Sequence, residues 1–227
     1  TPKVKKFRGK VYSSEQLNKL LSEIESSIWE IPILFSGLYG LRRSEVLGLK
    51  YSSIDFENKC FTVEHTVTAV TIDNQRKLIK RDGTKTEESQ RTLPLDEVFI
   101  KILLAKKAKQ ERYRKLCGSS YSKTDIDYVC VNELGQLIKP DQLSRKFKTL
   151  AKEAGLEEIR FHDLRHTAAS ILLKNGASMK QIQEWLGHSD FGTTANIYSH
   201  LDGRSKKEVG NMIRDVYTSK KEALQEK

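Results

Sequence analysis

The sequence predicts an α+β fold, mainly helical, with a small antiparallel β-sheet near its N-terminal half. Three observations carry that expectation. Leucine, isoleucine and phenylalanine recur at three- and four-residue spacing over residues 17–28, 100–108, 143–150 and 164–172, the period at which a helix buries one face. Between residues 54 and 93 the texture changes to short β-branched runs, broken by Asp73-Asn74 and Asp82-Gly83, which are turn signals. At 227 residues the chain is long enough to bury a sizeable core.

The elements follow in order. Residues 1–10 are basic and without pattern, and read as a linker or arm, either a solvated tail or a contact to a polyanion. Ser13 with Gln16 forms a capping box, and Tyr12 can staple onto Leu17, so a helix opens there. Leu17, Leu20, Leu21, Ile24 and Ile28 give it a core face. Pro32 sits near the start of a second helix, where its missing N–H does no harm. The runs Cys60 to Val70, Ile72, Lys77 to Ile79 and Gln90 to Leu93 predict three or more strands in one sheet. Asp96 caps a long helix through Ile100, Leu103, Leu104 and Ala108. Its outer face is dense in lysine and arginine, either solvated or lining a groove. Tyr128 to Val131 reads as a short buried run, and Pro140 begins a helix carrying Leu143, Phe147 and Leu150, ended by Gly155. Arg145, Lys146 and Lys148 on that helix are candidates to meet phosphates. His162 and Arg165 stand three apart, so on a helix they share a face, with Leu164, Ala168, Ile171 and Leu172 as its anchor. Gly176 caps that helix, and Ser178 with Gln181 opens the next, which turns Ile182 and Leu186 inward and delivers Gly187-His188. Residues 204–227 read as a polar terminal helix whose thin stripe of Val209, Met212, Ile213 and Val216 suits docking on a neighbour.

Composition narrows the class. Lysine and arginine number 40 against 30 acids, a net charge of +10 and a pI near 9.4. Such a balance suggests a polyanionic partner, nucleic acid first and a membrane surface second. No apolar run approaches the roughly 20 residues of a membrane span, and no secretory signal opens the chain. Cys60, Cys117 and Cys130 are odd in number and far apart, which fits a reducing cytosol and predicts neither disulfide nor zinc site. The chain opens on Thr1 rather than Met, which suggests a piece of a longer protein.

The stretch from Phe161 to Leu201 carries the chemistry. The order His162-x-x-Arg165, then Leu186-Gly187-His188, then Tyr198 ten positions later resembles the tyrosine recombinases, meaning phage integrases and the integrases of conjugative transposons. Two upstream phrases resemble the same family. Gly40-Leu41-Arg42-Arg43-Ser44-Glu45 is similar to its first arginine motif, and Lys85-Thr86, followed by Ser89-x-Arg91 and Pro94-Leu95, to its β-hairpin lysine motif. The resemblance covers roughly residues 11–201 with no departure at a catalytic position. Taken alone, each residue has a structural explanation: Arg42 an ion pair with Glu45, His162 a core histidine, Tyr198 a packed aromatic. The ordered conjunction favours the family.

The resemblance implies a catalytic domain at 11–203 that cuts and rejoins DNA. Tyr198 would be the nucleophile, forming a 3′-phosphotyrosyl link. Arg42 and Arg165 would bind the scissile phosphate, because planar guanidinium forks match two phosphate oxygens. Glu45 would support Arg42, and Arg43 would touch DNA. His162 would hold or accept the tyrosine proton, His188 would donate to a phosphate oxygen, and Lys85 would protonate the departing 5′-hydroxyl. No cofactor and no metal is implied. The partners implied are double-stranded DNA and further copies of the chain, a tetramer on DNA and a monomer in isolation, in a bacterial or phage cytoplasm at the nucleoid. His166 reads as structural. Val67 to Gly83 is longer than the family's minimal hairpin and resembles an extra β-insertion, a contact to DNA or a partner or only a decorated loop. A type IB topoisomerase and a non-catalytic DNA-binding module are the alternative readings.

Overall fold

The computed structural model describes residues 10–83 and 90–187. Lys85, His188, Tyr198 and the C-terminal tail lie outside the described residues. The helical elements are α1 (Ser14–Glu23), α2 (Glu30–Gly37), α3 (Arg43–Leu47), α4 (Glu97–Cys117), α5 (Pro140–Glu153), α6 (Asp163–Lys174) and α7 (Met179–Leu186). The strands are β1 (Ile54–Asp55), β2 (Cys60–Val63), β3 (His65–Ile72), β4 (Gln75–Asp82) and β5 (Arg91–Pro94).

Helix starts follow local sequence. The Ser13 hydroxyl accepts from the Gln16 N–H while the Gln16 side chain accepts from the Ser13 N–H. Ser178 and Gln181 repeat that reciprocal pair at the head of α7, satisfying N–H groups that have no partner inside the helix. Asp96 accepts from Val98 N–H and opens α4. Pro32 lies in the first turn of α2 and Pro140 at the start of α5, as the sequence suggests. Leu17 and Leu20 of α1, Ile31, Ile33 and Phe35 of α2, Leu143 and Phe147 of α5, and Leu164 of α6 meet in one core.

Two expectations need correction. The strands form two sheets rather than one: β1-β2-β5 antiparallel, and a separate antiparallel ribbon of β3 and β4. Glu64 separates β2 from β3, and β3 pairs back only with β4 through a tight turn at Asp73 and Asn74, both in the left-handed region. That turn geometry matches the right-handed twist of the flanking strands. The buried face of α4 is also displaced. Leu103 is fully buried, but Leu104 is 46% exposed and Ala108 is exposed. Ile100 packs on the core as expected, with Phe99, Ile102 and Gln110 taking the places of Leu104 and Ala108, and Gln110 donates to the Val129 carbonyl. Tyr128 to Val131 is buried as expected.

Candidate active site

Glu45 is the hub. It stands in the first turn of α3 and is 3% exposed. Its Oε2 accepts from the Arg42 backbone N–H at 2.9 Å, and its Oε1 from Arg42 Nη1 at 2.5 Å. Oε2 also accepts from Arg91 Nη2 at 3.0 Å, and Arg165 Nη1 lies 3.9 Å from it. Three guanidinium groups, brought from the residue before α3, from β5 and from α6, thus converge on one carboxylate. Those three charges hold the Glu45 carboxyl down at about 2 although its burial alone would raise it; Arg91 acts most strongly, then Arg42 and Arg165. The cluster is cationic by two over these four side chains.

Each arginine is held differently. Arg42 precedes α3, keeps 33% of its side chain exposed and donates through Nη2 to the Gly187 carbonyl at 3.2 Å. Arg165 is 1% exposed and donates to the carbonyls of Gly40 at 2.7 Å and Leu186 at 2.6 Å. Those carbonyls sit where helices α2 and α7 end, so α6 is docked onto both by its own arginine. Gly40 has φ +71°, and a Cβ there would stand 2.2 Å from Leu186 Cδ2, so only glycine permits this approach. Arg91 donates through Nε to the Trp185 carbonyl at 2.9 Å.

Arg91 is the residue whose role sequence reasoning missed. It stands in the lysine phrase, where the sequence alone gives it no role. The signal was present in strand periodicity. Arg91 lies two residues before buried Leu93 and opposite buried Val63, so it shares their inward face. A charge at such a position requires a buried partner.

His162 and Arg165 stand one turn apart at the start of α6. His162 is the residue before α6 and is exposed, whereas Arg165, one turn inside, points into the protein. The protein crowded around His162, with the charges of Arg165 and Arg42, pushes its imidazole below the ordinary value despite the opposing Asp163 carboxylate. Its ring meets the His166 ring edge to face at 5.4 Å. His166 is buried and pushed down to about 4 by desolvation and by His162, consistent with a neutral, packed role. Arg43 is half-buried and donates to Ser144 Oγ at 2.6 Å and to the Pro140 carbonyl, tying α3 to α5. Arg145 is exposed and Lys146 half-buried, and Lys148 pairs with Glu158. Among the described residues, no group of three or more His, Cys, Asp or Glu side chains is arranged to hold a metal ion. No helix there is long and apolar enough to cross a membrane.

The chain resembles known proteins over most of its length. The chain is 31% identical over 211 residues to a tyrosine recombinase XerC-like protein of Caldanaerobacter subterraneus subsp. tengcongensis, covering 91% of this chain and 54% of that one. It is 27% identical over 219 residues to the ICEBs1 integrase of Bacillus subtilis, covering 91% of this chain and 55% of that one. The chain thus spans about half the length of these relatives. Among solved structures, the Tn1549 transposon integrase in complex with transposon right end DNA superposes with a TM-score of 0.67 at 22% identity, over 88% of this chain and 65% of that one. A XerA recombinase superposes with a TM-score of 0.62 at 25% identity, over 90% of this chain and 65% of that one. The model of the phage integrase family matches residues 10–204. With that match over most of its length, the chain belongs to the phage integrase family.

Proposed function

We propose that this chain is the catalytic portion of a site-specific DNA recombinase of a mobile element, cutting and rejoining strands through a 3′-phosphotyrosyl intermediate. The observation that carries the reading is the convergence of Arg42, Arg91 and Arg165 on Glu45. A carboxylate that holds three guanidinium groups fixes them before substrate arrives, and a cluster cationic by two suits a phosphodiester whose transition state gathers negative charge. Tyr198 attacks the phosphorus and expels the 5′-oxygen. Arg42, from its exposed position, and Arg165 take the non-bridging oxygens. His162, with its imidazole held neutral, accepts the tyrosine proton. His188 donates to a phosphate oxygen, and Lys85 gives the departing 5′-oxygen its proton. The reverse sequence, with a 5′-hydroxyl from another strand, releases Tyr198 and seals the new junction. Glu45 is a positioning residue, and Arg91 positions it in turn from β5.

The substrate is double-stranded DNA, met by copies of the chain that assemble as a tetramer there and separate as monomers in its absence. Residues 1–10 serve as a basic arm, 11–203 as the catalytic domain, and 204–227 as a tail docking on an adjacent protomer. Arg145, Lys146 and Lys148 supply backbone contacts from α5, and Arg43 supports that surface through its bond to Ser144. The site of action is the bacterial cytoplasm.

A nicked suicide substrate cut from the ends of the element tests the reading. The wild type should give a covalent protein–DNA band on a denaturing gel, and Tyr198→Phe should give none. A band that persists in Tyr198→Phe removes Tyr198 as the nucleophile.

A further inference from the structure

The β3–β4 ribbon divides its charges by face. Strand alternation places His65, Val67, Ala69 and Thr71 with Asp82, Lys80, Leu78 and Arg76 on one side. That side is committed to the rest of the protein. Within the ribbon His65 Nδ1 meets Asp82 at 2.6 Å, and its Nε2 reaches outside it to the Tyr128 hydroxyl at 2.8 Å. Lys80 pairs with Asp125 at 2.5 Å and Arg76 with Asp141 at 2.7 Å, while Val67 is fully buried. The root of the ribbon presses on α3 so closely that a Cβ on Gly48 would lie 2.3 Å from the His65 carbonyl oxygen.

The opposite side bears Thr66, Thr68, Val70 and Ile72 against Arg81, Ile79, Lys77 and Gln75. Among the described residues, neither Lys77 nor Arg81 has an ion-pair or hydrogen-bond partner, and these eight strand positions include no acid. Among the described residues, Glu64 and Asp73 adjoin the two ends of β3 in sequence. Val70 and Ile72 are 37% and 41% exposed. Four residues apart on one strand, Lys77 and Arg81 stand about 13 Å from each other. That is close to the ~12 Å width of the DNA major groove, which admits a two-stranded ribbon.

We propose that this outward face of the ribbon is a second DNA-contact surface, with Lys77 and Arg81 on phosphates at the two sides of a major groove. It rests on the reading of the chain as a DNA-cutting enzyme and uses none of the residues gathered at Glu45. Three polar contacts, to Tyr128, Asp125 and Asp141, and the close approach at Gly48 fix the ribbon to the 125–128 segment, α5 and the end of α3, so the outward face is presented without being ordered by the ligand. Duplex DNA is favoured over a protein partner because the eight strand positions of this face carry two cations and no acid.

The test is the salt dependence of duplex binding by the full chain, read by anisotropy of a labelled duplex of arbitrary sequence. Each phosphate contact contributes about 0.9 to the slope of log K against log salt. The double variant Lys77→Gln/Arg81→Gln should lower that slope by about 1.8, so its loss of affinity at ~50 mM salt exceeds its loss at ~200 mM about twelvefold. The charge-keeping variant Lys77→Arg/Arg81→Lys should hold the wild-type slope, and both should unfold at the wild-type temperature. An unchanged slope in the Gln variant overturns the proposal while leaving the recombinase reading intact. So does a change confined to self-association in sedimentation, which would assign the face to a second copy of the chain. Failure of the wild type to bind duplex at all overturns both.

Discussion

Replacing Glu45 with glutamine isolates the device on which the site depends. The side chain keeps its size but loses the charge that three guanidinium groups share. In the folded protein its carboxyl is held at about 2 against an ordinary 4.5, a difference worth about 3 kcal/mol. Removing one member of a buried ion pair commonly costs ~3–5 kcal/mol, because the remaining charges stay desolvated. Both routes lead to a loss of about 3 kcal/mol at neutral pH. Because the folded value is depressed, that contribution is fully present above about 4.5 and disappears as pH falls toward 2. Urea unfolding of wild type and Glu45→Gln at a series of pH values measures it. The gap between the two proteins should be widest at pH 7 and close progressively on acidification. Other carboxylates titrate in both proteins and cancel in the difference. A loss below ~1 kcal/mol at pH 7, within the ordinary range for an exposed ion pair, would refute the hub. A gap that stays constant down to low pH would refute its electrostatic origin.

Other changes probe the same cluster from its neighbours. Arg91→Met removes the bond to the Trp185 carbonyl and one of Glu45's partners; a loss of ~2–4 kcal/mol in urea unfolding is expected, with the covalent DNA band reduced. Gly40→Ala places a methyl against Leu186 at a left-handed φ, so a loss of ~1–3 kcal/mol should accompany a weaker hold on Arg165, seen as slower cleavage. His162 must be neutral to accept a proton, and its imidazole is shifted downward. The acidic limb of the cleavage-rate profile should therefore lie below the ordinary imidazole value of 6.5, and His162→Gln should abolish that limb. Ser178→Ala removes the cap of α7 and should cost ~1 kcal/mol without changing the limb.

The sequence by itself determined what depends on a few consecutive residues. Capping boxes at Ser13 and Ser178 join groups three positions apart, so their geometry is set before any tertiary contact forms. The Asp73-Asn74 turn, the prolines opening α2 and α5, and the motif phrases around Arg42 and His162 were legible for the same reason. The tertiary structure alone decided which charges meet. Arg91 and Glu45 are 46 positions apart, and Arg165 reaches Gly40 across 125; no local rule relates residues at such separations. Tertiary packing also chose the buried side of α4, where Leu104 yields its place to the flanking positions and Gln110 turns inward to the Val129 carbonyl. Helical periodicity marks a stripe, but the neighbours available to cover it decide which side is buried. The split of the strands into sheet and ribbon has the same origin. Pairing partners are selected by register and by what each face can bury: β3 pairs wholly with β4, while Arg91 on β5 lies against Val63 and turns its charge to Glu45.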